Sequence, residues 1–217
     1  MKNAFYWMCR FVLMILLKIF FRFKCTGRKY LPKTGGCIIA SNHLSYLDPI
    51  VLSVASTRIL TFMAKRELFE QNWFFTWLIT MLNSFPLERE KTDVKALRLA
   101  MEKLNKGHSM IIFPEGTRSR TGDVKNAQAG VSMLAANSKV KVVPTLIIGT
   151  DQAMGAKAKK LIFFVPLSVH FGQAMDMETY RRQNPNLDKK KLYLSFSQKI
   201  IDEIRFLKDE YKKEKSA

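Results

Sequence analysis

Cys37-Ile38-Ile39-Ala40-Ser41-Asn42-His43-Leu44-Ser45-Tyr46-Leu47-Asp48-Pro49 is the stretch whose reading decides the fold. Its first four residues form an apolar run after the Gly35-Gly36 turn, which predicts a short buried strand. Its last two predict a helix start: Asp48 suits a cap, Pro49 a first helical position, and the helix runs to Ser56. The polar segment between is a tight connection carrying a histidine and an aspartate. Strand, loop and helix in that order begin an α/β unit, and loops at strand ends are where such folds place reactive groups.

Outward from there the alternation continues. Residues 58–63 predict a strand, and residues 84–90 an extended segment that Pro86 keeps off a central ladder. Thr92–Asn105 predicts a helix with Val94, Leu97, Met101 and Leu104 as its apolar stripe and Gly107 beyond its end. Ser109–Phe113 predicts a strand, Ala127–Asn137 a helix rich in small residues, and Val140–Ile148 a strand in which Pro144 implies a bulge or an edge. Leu161–Phe171 predicts a last strand and Lys189–Lys208 a long helix. The expected fold is α/β, a single domain with a mixed, largely parallel sheet flanked by helices. The expected boundaries are 1–27 for an N-terminal membrane helix with its connector and 28–217 for the domain.

Charge narrows the partners. The 217 residues hold 36 Lys and Arg against 18 Asp and Glu, a net charge of +18, so an anionic partner is expected. Sixteen Phe and eleven Met favour a lipid surface over nucleic acid, which is not expected as a partner. Cys9, Cys25 and Cys37 have no metal-ligand spacing and are expected as reduced thiols of a cytosolic compartment.

In residues 4–23 the uninterrupted apolar run is only Phe11 to Leu17, short for a membrane span, and no small-residue cleavage site follows. On a helical wheel Arg10, Lys18 and Arg22 fall within an arc of roughly 120°. The remaining face is Phe, Leu, Ile, Met and Trp. The expectation is a monotopic helix lying in the headgroup region on the cytoplasmic face of a membrane, in contact with anionic lipids through Arg10, Lys18, Arg22 and Trp7. Trp73 and Trp77, in an aromatic cluster, are either a core anchor or a second membrane contact.

Two segments carry chemistry. His43 is suited to deprotonating an alcohol near neutral pH, and a carboxylate on its other ring nitrogen would hold the tautomer. Five residues along a regular helix would put His43 and Asp48 about 140° apart, so the pair needs a turn. Taken alone, the pair reads more simply as a helix-capping aspartate and an unrelated histidine. The second segment is Phe113-Pro114-Glu115-Gly116-Thr117-Arg118-Ser119-Arg120, where Gly116 permits a sharp turn and the arginines suit phosphate.

Together these blocks resemble the glycerolipid acyltransferase family typified by 1-acyl-sn-glycerol-3-phosphate acyltransferase. NHLSYLD (42–48), FPLER (85–89), FPEGTR (113–118) and VVPTLIIGT (142–150) occur in the family's order, and AKREL (64–68) fits between the first two. The resemblance implies a catalytic dyad of His43 and Asp48. It also implies phosphate binding by Arg89, Glu115, Gly116, Thr117 and Arg118, with Lys65 on the same basic rim. Neither a metal nor another cofactor is implied. The implied donor is an acyl thioester of acyl carrier protein or coenzyme A, the implied acceptor lysophosphatidate. The chain departs from the family's habit at Asn83, where a glycine is common, at Gln128, where a lysine is common, and near Asn72, where a proline often stands. A different lysophospholipid or lyso-aminolipid acceptor stays open, as does a non-catalytic basic membrane-binding module. An esterase is disfavoured, because the chain has no G-x-S-x-G.

Overall fold

The computed structural model describes residues 2–70, 73, 76–77, 80, 83–87, 94–119, 127–155 and 160–216. Its strands are β1 (Lys24–Thr26), β2 (Cys37–Ser41), β3 (Leu60–Lys65), β4 (Ser84–Leu87), β5 (Ser109–Ile112), β6 (Lys141–Ile148) and β7 (Ser168–Phe171). They form one sheet in the order β1-β7-β6-β2-β5-β3-β4. Only the β6–β7 pair is antiparallel among these neighbours, so the mixed, largely parallel sheet is as expected. Cys37–Ser41 is buried at every position, as a strand covered on both faces must be.

The helices are α1 (Lys2–Phe21), α2 (Asp48–Ala55), α3 (Val94–Asn105), α4 (Gly130–Ser138), α5 (Thr150–Met154), α6 (Met177–Gln183) and α7 (Lys189–Ser216). Side chains of α1 and α2 share one core cluster with Ile39, Ile111 and Val143. Those of α3, α4 and α7 share the other with Ile38, Met110 and Val142. Consecutive residues of one strand thus serve opposite faces, the period of two that strands impose.

Strand order and layering together fix where a ligand can sit. From β2 the chain crosses through α2 toward β3, on one side of β2. From β5 it returns through α4 to β6, on the other side. Right-handed crossovers in opposite directions pass over opposite faces of the sheet. The adjacent C-terminal ends of β2 and β5 therefore flank a crevice that neither α2 nor α4 covers, the switch point where open α/β sheets bind their ligands.

Several elements differ from expectation. The basic connector after residue 23 contains β1, which pairs with β7, so the sheet begins before residue 28. Pro144 lies in a central strand and the bulge falls opposite it. Three steps from Val142 to Thr145 face four from Phe171 to Met175, and the Pro144 carbonyl accepts from Gly172 N–H at 2.7 Å. Of Leu161–Phe171 only the last four residues are strand. Leu161–Phe164 instead turn outward, with Phe164 at φ 65°.

α1 spans about 30 Å at 1.5 Å per residue and lies along the domain against α2. Residues 4–21 are long and apolar enough to cross a membrane by length and composition. Tyr6, Leu17 and Phe21 are buried, while Met8, Phe11, Val12, Ile15 and Ile19 are exposed. A soluble amphipathic helix shows the reverse, a polar outward stripe. Arg10 does not join Lys18 and Arg22 at the surface. Its guanidinium turns inward and donates to the Ser53 and Ser56 carbonyls at 3.3 and 2.5 Å. Those carbonyls belong to the last turn of α2 and its cap, where a cation is favoured, so Arg10 ties α1 to the domain rather than to a headgroup.

Candidate active site

The β2–α2 loop folds back on itself. The N-cap of α2 is Leu47, with no side-chain capping bond, and Asp48 is already inside the helix. Its fully buried carboxylate points backward instead. Oδ2 accepts from Leu44 N–H at 2.6 Å, from Ser45 N–H at 2.8 Å and from His43 Nδ1 at 2.7 Å. Those two amides preorganise the carboxylate to receive the imidazole. The turn that the five-residue spacing demanded is thus made by the aspartate itself, and Asp48 as a simple helix cap is set aside.

With Nδ1–H given to Asp48, Nε2 is the accepting nitrogen, and the side chain is 15% exposed. Phe113 stacks on the imidazole at 3.8 Å between centroids and 11° between planes, which holds the ring's orientation. Behind the histidine, the Asn42 amide donates to the Ile147 carbonyl at 3.0 Å and accepts from Ile147 N–H at 2.9 Å. The sheet's bonding therefore continues one residue after β2 has ended.

The segment after β5 docks onto this loop. Ser119 N–H donates to the His43 carbonyl at 2.7 Å, and His43 N–H donates to Glu115 Oε1 at 3.3 Å. Glu115 is 4% exposed, with Oε1 turned toward the histidine backbone. A buried carboxylate repels an anion, and here it ties the two loops together. Gly116 stands at φ 70°, the left-handed region that favours glycine, and a Cβ there would meet the Gln128 side chain at 2.9 Å. Thr117 is exposed beyond it.

Arg118 lies over the Tyr46 ring, its Cζ 3.7 Å from the centroid, and Nη2 donates to the Tyr46 hydroxyl at 3.0 Å. Tyr46 belongs to the histidine loop, so the cation is held by the loop that carries His43. The motif spacing did not single out Tyr46 or Phe113 for these roles; an aromatic in each block was the available signal. Lys65 ends β3 at the same edge of the sheet, its side chain outside the described residues. Arg89, two positions past β4, lies wholly outside them.

Against the α1 side of the loop lies a cavity of about 520 Å³ with only apolar lining residues. Its walls run from Leu16, Phe20 and Phe164 to Leu47, Ile50 and Val51, which flank Asp48 at the start of α2. Among the described residues no group of three or more His, Cys, Asp or Glu could hold a metal. His170 meets Thr26 Oγ1 and Ser168 Oγ at 2.9 and 3.0 Å, and burial lowers its pKa. Burial pushes the Cys25 and Cys37 thiols up, so neither is an activated nucleophile.

The acyltransferase family model matches residues 22–148. A 1-acyl-sn-glycerol-3-phosphate acyltransferase of Streptococcus pneumoniae is 30% identical over 149 residues, 68% of this chain and 53% of the relative. That of Bacillus subtilis is 30% identical over 166 residues, 75% of this chain and 82% of the relative. A chloroplast relative from Arabidopsis thaliana is 33% identical over 138 residues, but the match covers only 38% of its length. The match thus spans about half or less of several relatives. Among solved structures, the 1-acyl-sn-glycerophosphate (LPA) acyltransferase PlsC of Thermotoga maritima matches with a TM-score of 0.67 and 28% identity, over 86% of this chain and 71% of that one.

Proposed function

The chain belongs to the acyltransferase family represented by these 1-acyl-sn-glycerol-3-phosphate acyltransferases, and from that premise we propose that it acylates the sn-2 hydroxyl of 1-acyl-sn-glycerol-3-phosphate, giving phosphatidic acid. The donor is an acyl thioester of acyl carrier protein or coenzyme A. The observation that carries this reading is the His43–Asp48 bond at 2.7 Å beside an arginine held on Tyr46.

In the proposed reaction Nε2 of His43 takes the proton of the acceptor hydroxyl, and the freed oxygen attacks the thioester carbonyl carbon. The tetrahedral intermediate collapses with loss of the thiolate, which recovers the proton from the imidazolium. Asp48 stays ionised and stabilises that imidazolium. Arg118 holds the acceptor phosphate, with Thr117 and the Gly116 turn beside it, and so places the hydroxyl at the base; Lys65 and Arg89 join the proposed grip on the strength of the family resemblance alone. The N–H groups of residues 43–45 are already given to Glu115 and Asp48, so the donors that stabilise the oxyanion come from elsewhere in the crevice. The apolar cavity beside Leu47 is where an acyl chain would lie.

We further propose a monotopic membrane association at the cytoplasmic face, with α1 lying in the headgroup region. Its exposed Phe11, Ile15 and Ile19 support this reading, as do Trp7, Lys18 and Arg22 at the margins. Trp77, which packs edge-on against Phe5 at 6.0 Å, and Trp73, 81% exposed, extend that contact.

The test is turnover in detergent with lysophosphatidate and an acyl thioester, followed as thiol release. His43→Ala is expected to lower kcat by about 10²–10⁴-fold or more while the melting transition persists. Unchanged turnover in that variant would remove the mechanism. A panel of lysolipid acceptors then decides the substrate, and preference for an acceptor lacking phosphate would exclude lysophosphatidate.

A further inference from the structure

The segment Leu161-Ile162-Phe163-Phe164 takes no part in proton transfer or phosphate binding; three of its residues line the apolar cavity, and the segment also presents apolar surface outward. All four side chains are exposed, Phe164 to 64%. Phe164 also holds a left-handed backbone, a conformation that favours glycine over any bulky residue. A turn needed only to join α5 to β7 gains nothing from a phenylalanine there. The conformation aims an aromatic ring out of the domain.

This turn is fastened to the end of α1. Phe164 N–H donates to the Phe20 carbonyl at 2.7 Å and Leu167 N–H to the Phe21 carbonyl at 2.9 Å, so the turn supplies partners that the last carbonyls of a helix lack. The Phe20 ring meets Phe163 at 5.6 Å and Phe164 at 6.2 Å. Outward apolar residues of α1 and of the turn therefore form one continuous platform. Exposed Lys18, Arg22, Lys24 and Lys160 border it, in a chain of net charge +18.

We infer that residues 161–164 are a second bilayer-inserting element, entering the same anionic leaflet as the outward face of α1. The occupant of this platform is lipid hydrocarbon, with anionic headgroups meeting the basic border. A contact at two separated points fixes the tilt of the domain on the membrane, which one helix lying in the interface does not. It also sets the wall of the apolar cavity formed by Leu16, Phe163 and Phe164 at the depth of the acyl chains, with Asp48's neighbours at its inner end. The inference rests on the membrane-lying reading of α1 but is separable from it.

The experiment is flotation of the full-length protein with vesicles of equal parts phosphatidylcholine and phosphatidylglycerol. Three forms are compared: wild type, an Ile162→Ser/Phe164→Gly double variant, and a Phe11→Ser/Ile19→Ser double variant in α1. Removing two half-exposed apolar side chains is expected to lower the partition coefficient of the turn variant by at least about tenfold, and a fall of that size supports the inference. If only the α1 variant loses binding, the turn lies outside the bilayer and the inference fails while the α1 reading stands. If neither variant loses binding, both fail. If the turn variant binds vesicles normally but changes from dimer to monomer in detergent, the platform covers a second copy, and the inference is overturned. Should the double variant not melt cooperatively, Ile162→Ser alone carries the test, since Ile162 lines no part of the cavity.

Discussion

The two loops that form the crevice are built on opposite plans. The β2–α2 loop makes its central bonds locally: Asp48 collects Leu44, Ser45 and His43 on one carboxylate oxygen, all within six residues, with outer ties from Asn42 to Ile147 and from Ser45 Oγ to the Met154 carbonyl. The segment after β5 depends on distant groups. Its ties run to the His43 carbonyl, the His43 N–H, the Tyr46 ring and, through Pro114, the Gln128 N–H. A general base needs its proton-accepting nitrogen held to a fraction of an ångström, and local bonds with little chain between them supply that rigidity. A phosphate grip, the role proposed for the second segment, tolerates more play, because charge attraction falls off slowly with distance. Geometry is thus determined in the first loop and inherited by the second.

The sharpest way to break this contrast is Asp48→Asn. An amide carries no charge to stabilise the imidazolium, and with its NH2 in the place of Oδ2, the oxygen that now accepts, the His43 tautomer is no longer enforced. The expected loss in kcat is about 10³–10⁴-fold, with a lowered melting temperature because two backbone donors lose part of their acceptor. A change in KM alone would show that the carboxylate does not act through the histidine. Arg118→Ala addresses the second loop. It is expected to raise KM for the phosphorylated acceptor, costing about 10–100-fold in kcat/KM with kcat changed far less. Equal damage to kcat would place Arg118 nearer the chemistry than the contrast allows. The smallest effect belongs to the link between the loops. Tyr46→Leu removes the ring under Arg118 and is expected to raise acceptor KM by about two- to fivefold, with Tyr46→Phe restoring most of the loss. If the phenylalanine variant is no better than leucine, the hydroxyl rather than the ring face is what holds the arginine.

The locally bonded loop was also the legible one. Its apolar run, its polar turn and Pro49 each announce a local conformation, and the observed elements begin or end within a residue or so of expectation. β1 gave no such signal, because three residues in a basic stretch become a strand only by pairing with β7, some 144 residues later. Arg10 read as a headgroup ligand because helical periodicity reports which residues share an arc, not what faces that arc. Glu115 entered the expected phosphate grip by motif membership, which does not say which way a carboxylate turns; its Oε1 accepts from His43 N–H. Leu161–Phe164 read as strand because apolarity marks burial against something, and a sequence does not say whether that is protein or lipid.

Asn42 has a mechanical consequence. Its side chain stands in for a peptide group opposite Ile147, so the ladder is spliced one position past the point where the backbone leaves it. With Asp48 clamping the far end, the loop behaves as a short beam held at both ends, and His43 sits on its stiff span. Such a beam has no soft joint. If the proposed reaction needs slack to release its product, the expected place is the opposite bank of the crevice, where Gly116 bends the chain and a few bonds moor it to the beam.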